Sequence, residues 1–391
     1  MKMPKKYFWI GLGVRIFAAL AVIVFTFNDE ILRYNDQGHY VYQALIHLLN
    51  GQNPYLQQYE LFWEAMPYVI NFGYAPGMIV FFLPAMLFPQ WVGTFWLGGW
   101  IMINFYTFLL CELIMCRIST DRTFKDAEHT IEINGKVANK LVYWSGIFFW
   151  VFPIWFSSVT VLIYLPILLL YCAFAYRDKP FLSGSFIFLA VMTYQLCLLF
   201  LPVFAAYFLK KDAKISRLKL SSIKSIQNFV FGLNWKKFWL FVLGTIPALL
   251  LAFPFLIWGG EPMVFVENTF LTSASGYVHI EGQLREIIVV SIPKILYNAS
   301  GGEIMIGPQA RLIMIGILSV ILAYYVLTDK IENHGLFLNQ YFLLAAILYT
   351  LTTNRGQPQY VLFTFIPIAF VFYSYFERKF WGDKHADQPQ D

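Results

Sequence analysis

Apolar runs of about 20 residues recur along this chain, and nothing else in it limits the fold so much. A helix of about that length is what crosses the roughly 30 Å hydrocarbon core of a bilayer. The runs fall at 7–27, 75–116, 141–158, 159–176, 181–209, 238–258, 310–328, 336–352 and 359–376. Pro84 and Pro89 break 75–116 into a short piece and a full-length one, and Glu112 is its lone charge. Gln195 and Pro202 divide 181–209, which reads as two half-spans. The expectation is an all-α, polytopic membrane protein: one domain over 1–391 with roughly nine to eleven spanning or re-entrant helices. The pieces at 75–90, 181–209 and 286–297 set that range. Charged residues make up 13% of the 391, against about 25% in soluble domains, which excludes a disordered chain and an ordinary soluble enzyme. The net charge of +5 is not a nucleic-acid signature, because its location matters more than its size. Cys111, Cys116, Cys172 and Cys197 lie in or beside apolar runs without zinc spacing and read as small buried hydrophobes.

Charge asymmetry orients the runs. Segment 210–237 holds Lys210, Lys211, Lys214, Arg217, Lys219, Lys224, Lys236 and Lys237 against Asp212 alone, which predicts a cytoplasmic loop. Segment 28–74 holds Asp29, Glu30, Asp36, Glu60 and Glu64 against Arg33, and 259–309 holds five glutamates against Arg285 and Lys294. Both are predicted to be large outer loops, with 353–358 as a short third. Loop 117–140 is nearly balanced and is assigned to the inside, which makes 75–90 re-entrant or interfacial. Lys2, Lys5 and Lys6 precede the 7–27 run, which is long for a signal peptide and reads as a retained first span. Both termini are expected in the cytoplasm.

The first loop contains Asn35-Asp36-Gln37-Gly38-His39-Tyr40, an apparent helix to Asn50, and then Gly51-Gln52-Asn53-Pro54-Tyr55. Asn50-Gly51 supplies a helix stop, and Pro54 prevents resumption. Asp36, Tyr40, Gln43 and His47 share one face at about 100° per residue, with Val41, Leu45, Leu48 and Leu49 opposite. That pattern predicts an amphipathic helix lying on the outer membrane surface. Two roles are open to Asp36: a helix N-cap, or a general base at the headgroup layer. His39 and His47 read more readily as solvated or packed side chains than as ligands. Asp36 with His39 would make half a metal site, with no second ligand pair to complete it, so no metal or other cofactor is expected.

Asp36, Tyr40, Ala44, Leu48, Gly51, Pro54 and Tyr55, followed by Tyr74-Ala75-Pro76 and Leu83-Pro84, resemble the first-loop pattern of GT-C glycosyltransferases that use polyprenyl-phosphate sugars. Segment 177–211 is similar to their paired-helix region, and Asn354-Arg355-Gly356-Gln357-Pro358-Gln359-Tyr360 to their last outer loop. The likeness is to the polyprenyl-phosphate-mannose-dependent α-mannosyltransferases. It implies a hexosyltransferase that inverts the anomeric carbon, with a polyprenyl-phosphate sugar as donor and a lipid, glycan or protein acceptor on the outer face. A bacterial or archaeal plasma membrane is the implied setting. Gly38 stands where many GT-C enzymes have a second acid; the pattern matches members with one catalytic carboxylate, which assigns the base to Asp36.

Such a reaction also needs a cation for the departing phosphate. Arg355, the one charge in its short turn, offers a guanidinium fork, although an Arg snorkelling to the headgroup boundary would look the same. Arg285, Lys294 and His279 are alternates in the second large loop. Tyr40, His47, Tyr55, Gln357 and Tyr360 are the candidate substrate-binding residues. Tyr55, Tyr59, Phe62 and Trp63 fit sugar stacking or an interfacial aromatic belt. A transporter or flippase, or a non-catalytic GT-C-like protein, competes with the transferase reading. Transporters gather ionisable groups near mid-bilayer, whereas here Glu112 is almost alone within a span.

Overall fold

The computed structural model describes residues 36–63, 66–87, 130–133, 136–139, 165–166, 169–170, 172–173, 176–210, 223–259, 261, 263–271, 292–301, 303 and 308–328. In chain order the elements are α1 (Asp36–Leu49), β1 (Gln58–Trp63), β2 (Met66–Asn71), α2 (Gly77–Val80), β3 (Thr130–Ile133), β4 (Lys136–Asn139), α3 (Pro180–Thr193), α4 (Leu201–Leu209), α5 (Ile223–Phe231), α6 (Trp235–Leu243), α7 (Ile246–Ile257), α8 (Ile292–Ala299) and α9 (Pro308–Leu327). Helix predominates, as expected. Two antiparallel hairpins, β1–β2 and β3–β4, depart from the all-helical reading: the first lies in the segment 28–74, the second in 117–140. The runs at 7–27, 141–158, 336–352 and 359–376 lie outside the described residues.

Residues 235–257 behave as one rod. Pro247, in the first turn of α7, has no N–H to continue the helical ladder, so the turn before it tightens. Gly244 N–H bonds Phe241 O at 3.0 Å and Thr245 N–H bonds Val242 O at 2.9 Å, and both residues keep right-handed helical angles. The resulting 23-residue helix is long and apolar enough to cross a membrane, rising about 34 Å at 1.5 Å per residue. Phe241, Ala248, Ala252 and Phe255 form its buried stripe, while Trp239, Leu243, Ile246, Leu250, Phe253 and Ile257 are exposed. From residue 238 onward the helix is apolar on every side but covered on one, and such a surface belongs in lipid or in a larger core.

The covered stripe meets α3 at backbone distance. A Cβ on Gly244 would lie 2.6 Å from the Gly184 carbonyl carbon, Phe181 O and Ser185 N, and one on Gly184 would run into the Phe241 carbonyl. Phe208 of α4 stacks on Phe241 with centroids 4.8 Å apart, and Leu209 O accepts from Asn234 N–H at 2.8 Å. The 181–209 run is divided as its sequence predicts: α3 stops at Thr193, Tyr194 is extended, a 3-10 turn covers Gln195–Phe200, and α4 opens with Pro202 in its first turn. Ser319 of α9 donates to Leu199 O at 2.7 Å, fastening that turn to the helix that fills the predicted 310–328 span. The short piece expected at 75–90 is described to residue 87 and forms α2 and a 3-10 turn at Leu83–Leu87; the full-length piece expected after it lies outside the described residues. The 286–297 piece is represented by the eight-residue α8.

Candidate functional site

Residues 36–76 fold as a small module against the far end of the rod. Helix α1 stops where Asn50-Gly51 predicts. Gly51 takes φ +74, and Gly51 N–H and Gln52 N–H bond Leu48 O and His47 O at 3.0 and 2.9 Å. This left-handed cap satisfies the last carbonyls of α1 and turns the chain back. Asn53 then starts a 3-10 turn at Pro54–Leu56, accepting from Tyr55 N–H through Oδ1 at 3.0 Å. The hairpin follows, with Gln58 opposite Asn71 and Trp63 opposite Met66.

Buried tyrosines knit these pieces together. Tyr40 donates to Asn71 O and accepts from Gly73 N–H at 2.7 Å. Tyr59 donates to Pro54 O at 2.8 Å, and Tyr55 to Tyr74 O at 2.8 Å. The Tyr40 ring meets Tyr59 edge-on at 5.0 Å, and Tyr55 meets Phe72 at 5.5 Å. Burial pushes the Tyr59 phenol far above its ordinary range and the Tyr55 phenol likewise, so both stay neutral donors.

Three polar side chains carry the module to the rod and the segment after it. Asn53 Nδ2 donates to Trp258 O at 2.8 Å, Asn268 Nδ2 to Tyr55 O at 3.1 Å, and Thr269 Oγ1 to Tyr74 O at 3.2 Å. Tyr55 also packs against Phe255 and Phe265, at 5.5 and 5.6 Å. Residues 53–75 and 258–269 therefore share one end of the 235–257 helix, and Leu209 and Asn234 share the other. Sequence reading did not single out Asn53, Asn268 or Thr269. Asn53 carried a signal, an Asn-Pro turn start; the other two carried none.

The candidate residues separate on this frame. Asp36 is the first residue of α1, inside the first turn, where the helix dipole favours a carboxylate. Tyr40 follows one turn on and holds that end of the helix to Asn71 and Gly73. His47 lies about 16 Å along the axis from Asp36, too far to act on the same group. Its Nδ1 donates to Gln52 Oε1 at 2.6 Å and its ring meets Tyr59 at 5.5 Å. Tyr40, Tyr55 and Tyr59 are buried, and their hydroxyls bond backbone groups that hold the frame together. The amphipathic surface helix is corrected too: Tyr40, Val41, Tyr42, Ala44 and Leu45 are all buried, because β1 covers one face of α1 and α2 covers another. Arg355, Gln357, Tyr360, Arg285 and His279 lie outside the described residues, and Lys294 is placed in α8. Among the described residues no three of His, Cys, Asp and Glu gather as a metal site requires.

Compared with known proteins, the chain matches no family model, no curated protein and no solved structure.

Proposed function

We propose that this chain is a multi-pass membrane hexosyltransferase with Asp36 as its general base. It moves a sugar, mannose by the resemblance, from a polyprenyl phosphate to an acceptor on the outer face. The observation that carries the reading is the seat of α1. Asp36 opens a helix that is anchored one turn on through Tyr40, in a module docked on the end of an apolar helix of membrane-crossing length. A carboxylate there meets the headgroup layer, where a polyprenyl-phosphate sugar keeps its phosphate. Asp36 takes the acceptor hydroxyl proton as that oxygen bonds the anomeric carbon. The bond from that carbon to the phosphate oxygen breaks, the configuration inverts, and the polyprenyl phosphate leaves with the electron pair. Arg355 is the proposed cation for that leaving group, with Arg285 and His279 as alternates.

Asp36→Asn tests the base. It keeps the size of the side chain and removes proton acceptance, so sugar transfer falls by about 10²–10⁴-fold while donor binding and melting temperature stay near those of the wild type. Release of polyprenyl phosphate from a panel of donor sugars is the assay. Full turnover by Asp36→Asn removes the base assignment, and no release by the wild type with any donor removes the transferase reading.

The topology proposed with it has residues 210–237 in the cytoplasm and residues 36–76 and 258–271 outside. Eight basic residues against one acid in 210–237 support it, as does the hydrogen bonding of the two other segments to each other. Gln227 is exposed on α5, and Gln227→Cys in a background without native cysteines should resist a membrane-impermeant thiol reagent in intact cells. Rapid labelling there reverses the orientation.

A further inference from the structure

We propose that α5 and the first turns of α6 form a docking surface for anionic phospholipid headgroups, in the leaflet bordering the start of the 235–257 helix. This rests on that helix crossing the membrane and not on the transferase chemistry.

The elbow between the two helices has a set geometry. Gly232 N–H and Leu233 N–H bond Phe229 O and Val230 O at 3.1 and 3.2 Å. Trp235 Nε1–H donates to Val230 O at 3.0 Å, and Asn234 Oδ1 caps α6 by accepting from Lys237 N–H at 3.2 Å. Asn234 N–H also bonds Leu209 O, so α4 fixes the elbow from behind.

The elbow exposes two kinds of side chain that neither water nor hydrocarbon would hold together. Phe231 is 80% exposed and Trp239 58%, with Trp235 also open. Lys224 of α5 and Lys236 and Lys237 in the first turn of α6 are exposed on the same two helices. Lys224 and Phe231 are two turns apart and share a face of α5 at about 100° per residue. Large aromatics open to this degree mark a contact surface. Three ammonium groups on the same two helices fit a contact at the headgroup layer, where rings enter the acyl boundary and lysine stems reach to phosphate. The charge selects the lipid: no acid occurs from 213 to 237. A lysine near an anionic surface contributes about a fivefold gain in affinity, which a zwitterionic headgroup does not return.

The test is native mass spectrometry of the purified full-length protein in one detergent, titrated with phosphatidylglycerol or with phosphatidylcholine of the same chains. The wild type should bind phosphatidylglycerol at least tenfold tighter, and added salt should erode that preference. Lys224→Gln/Lys236→Gln/Lys237→Gln should lose affinity for phosphatidylglycerol on the order of a hundredfold and leave phosphatidylcholine unchanged. Lys224→Gln alone, with an expected loss of about fivefold, serves if the triple variant does not purify folded. Equal binding of the two lipids by the wild type overturns the proposal, as does undiminished phosphatidylglycerol selectivity in the folded variants. Sugar transfer is not read, so a failed transferase assignment leaves the outcome interpretable.

Discussion

Around Tyr55 the chain is held by side chains that reach backbone carbonyls; where α3 crosses the 235–257 helix it is held by backbones that touch. In the module, Asn53, Tyr55, Tyr59, Asn268 and Thr269 each donate a hydrogen bond to a main-chain oxygen. At the crossing, Gly184 and Gly244 remove the side chains that would keep the helices apart. The module has short, irregular elements whose backbone groups are buried outside any helix ladder, and an unpaired buried group costs about 1–3 kcal/mol. Side chains must therefore complete what secondary structure leaves open. The helices complete their own ladders and meet through apolar surfaces, so close packing is the available attraction. The two regions should consequently fail in different ways.

The largest effect is expected at Tyr55, whose ring touches Phe72, Phe255 and Phe265 and whose hydroxyl reaches Tyr74 O. Tyr55→Ala removes a fully buried aromatic and should cost about 3–5 kcal/mol. Tyr55→Phe keeps the ring and should cost about 1–3 kcal/mol through the abandoned carbonyl. Hydrogen exchange read by mass spectrometry separates the regions: peptides covering 36–76 and 258–271 should lose protection while those covering α3 and α6 keep theirs. Equal loss in both would mean that they unfold as one unit, and the comparison would fail.

Gly244→Ala should do the opposite. Its Cβ meets backbone atoms of α3 at 2.6 Å, which cannot move aside as a side chain could. Overpacking of this kind costs about 1–3 kcal/mol, here in the helices and not in the module. Gly316→Ala is the internal control, because a Cβ there meets nothing within 4 Å. In the middle of α9 it should raise stability by about 0.4–1 kcal/mol, by restricting the unfolded chain. A Gly244→Ala protein as stable as Gly316→Ala would show that the crossing opens without cost.

The helical half of this comparison was legible from the sequence to a greater degree than the module. The predicted spans 238–258 and 310–328 correspond to Trp235–Ile257 and Pro308–Leu327, since long apolar runs are read from composition alone. The Gly51 stop and the division of 181–209 were legible because Gly and Pro act on local backbone geometry. The hairpins divide instructively. Between β3 and β4 lies Asn134-Gly135, a strong turn signal, so that hairpin is readable from local sequence. Between β1 and β2 lies Glu64-Ala65, which signals no turn, and that hairpin is stabilised by Tyr40, Tyr59 and Phe72 around it. Asn53 and Trp258 are 205 residues apart, Tyr55 and Asn268 are 213. Periodicity cannot report pairings at that distance. Asp36 was found as a chemical group at a helix start, whereas the role of Tyr40 in fixing that start needed the fold.

The last effect is one of pH, and its sign follows from the same burial. The Tyr55 and Tyr59 phenols have an ordinary pKa of 10.0, and burial raises both in the folded chain. Below that value both folded and unfolded chains hold the two protons, so stability does not depend on them. As pH rises past it, the unfolded chain ionises while the folded one stays protonated. The folded state then binds more protons, and stability must fall with pH. Each tyrosine contributes a loss of about 1.4 kcal/mol per pH unit, continuing until its raised folded-state value is reached. The module should therefore melt progressively earlier as alkali rises, whereas the contacts at Gly184, Gly244 and Phe241 themselves carry no titratable group. Melting followed by hydrogen exchange over 36–76 and over 180–193, at neutral pH and then above pH 10, checks this. Tyr59→Phe should lessen the alkaline slope of the module by the share of one tyrosine. An unchanged slope in that variant would mean that the phenol is open to hydroxide in the folded chain, and that the module is held by its rings without the buried hydrogen bond to Pro54.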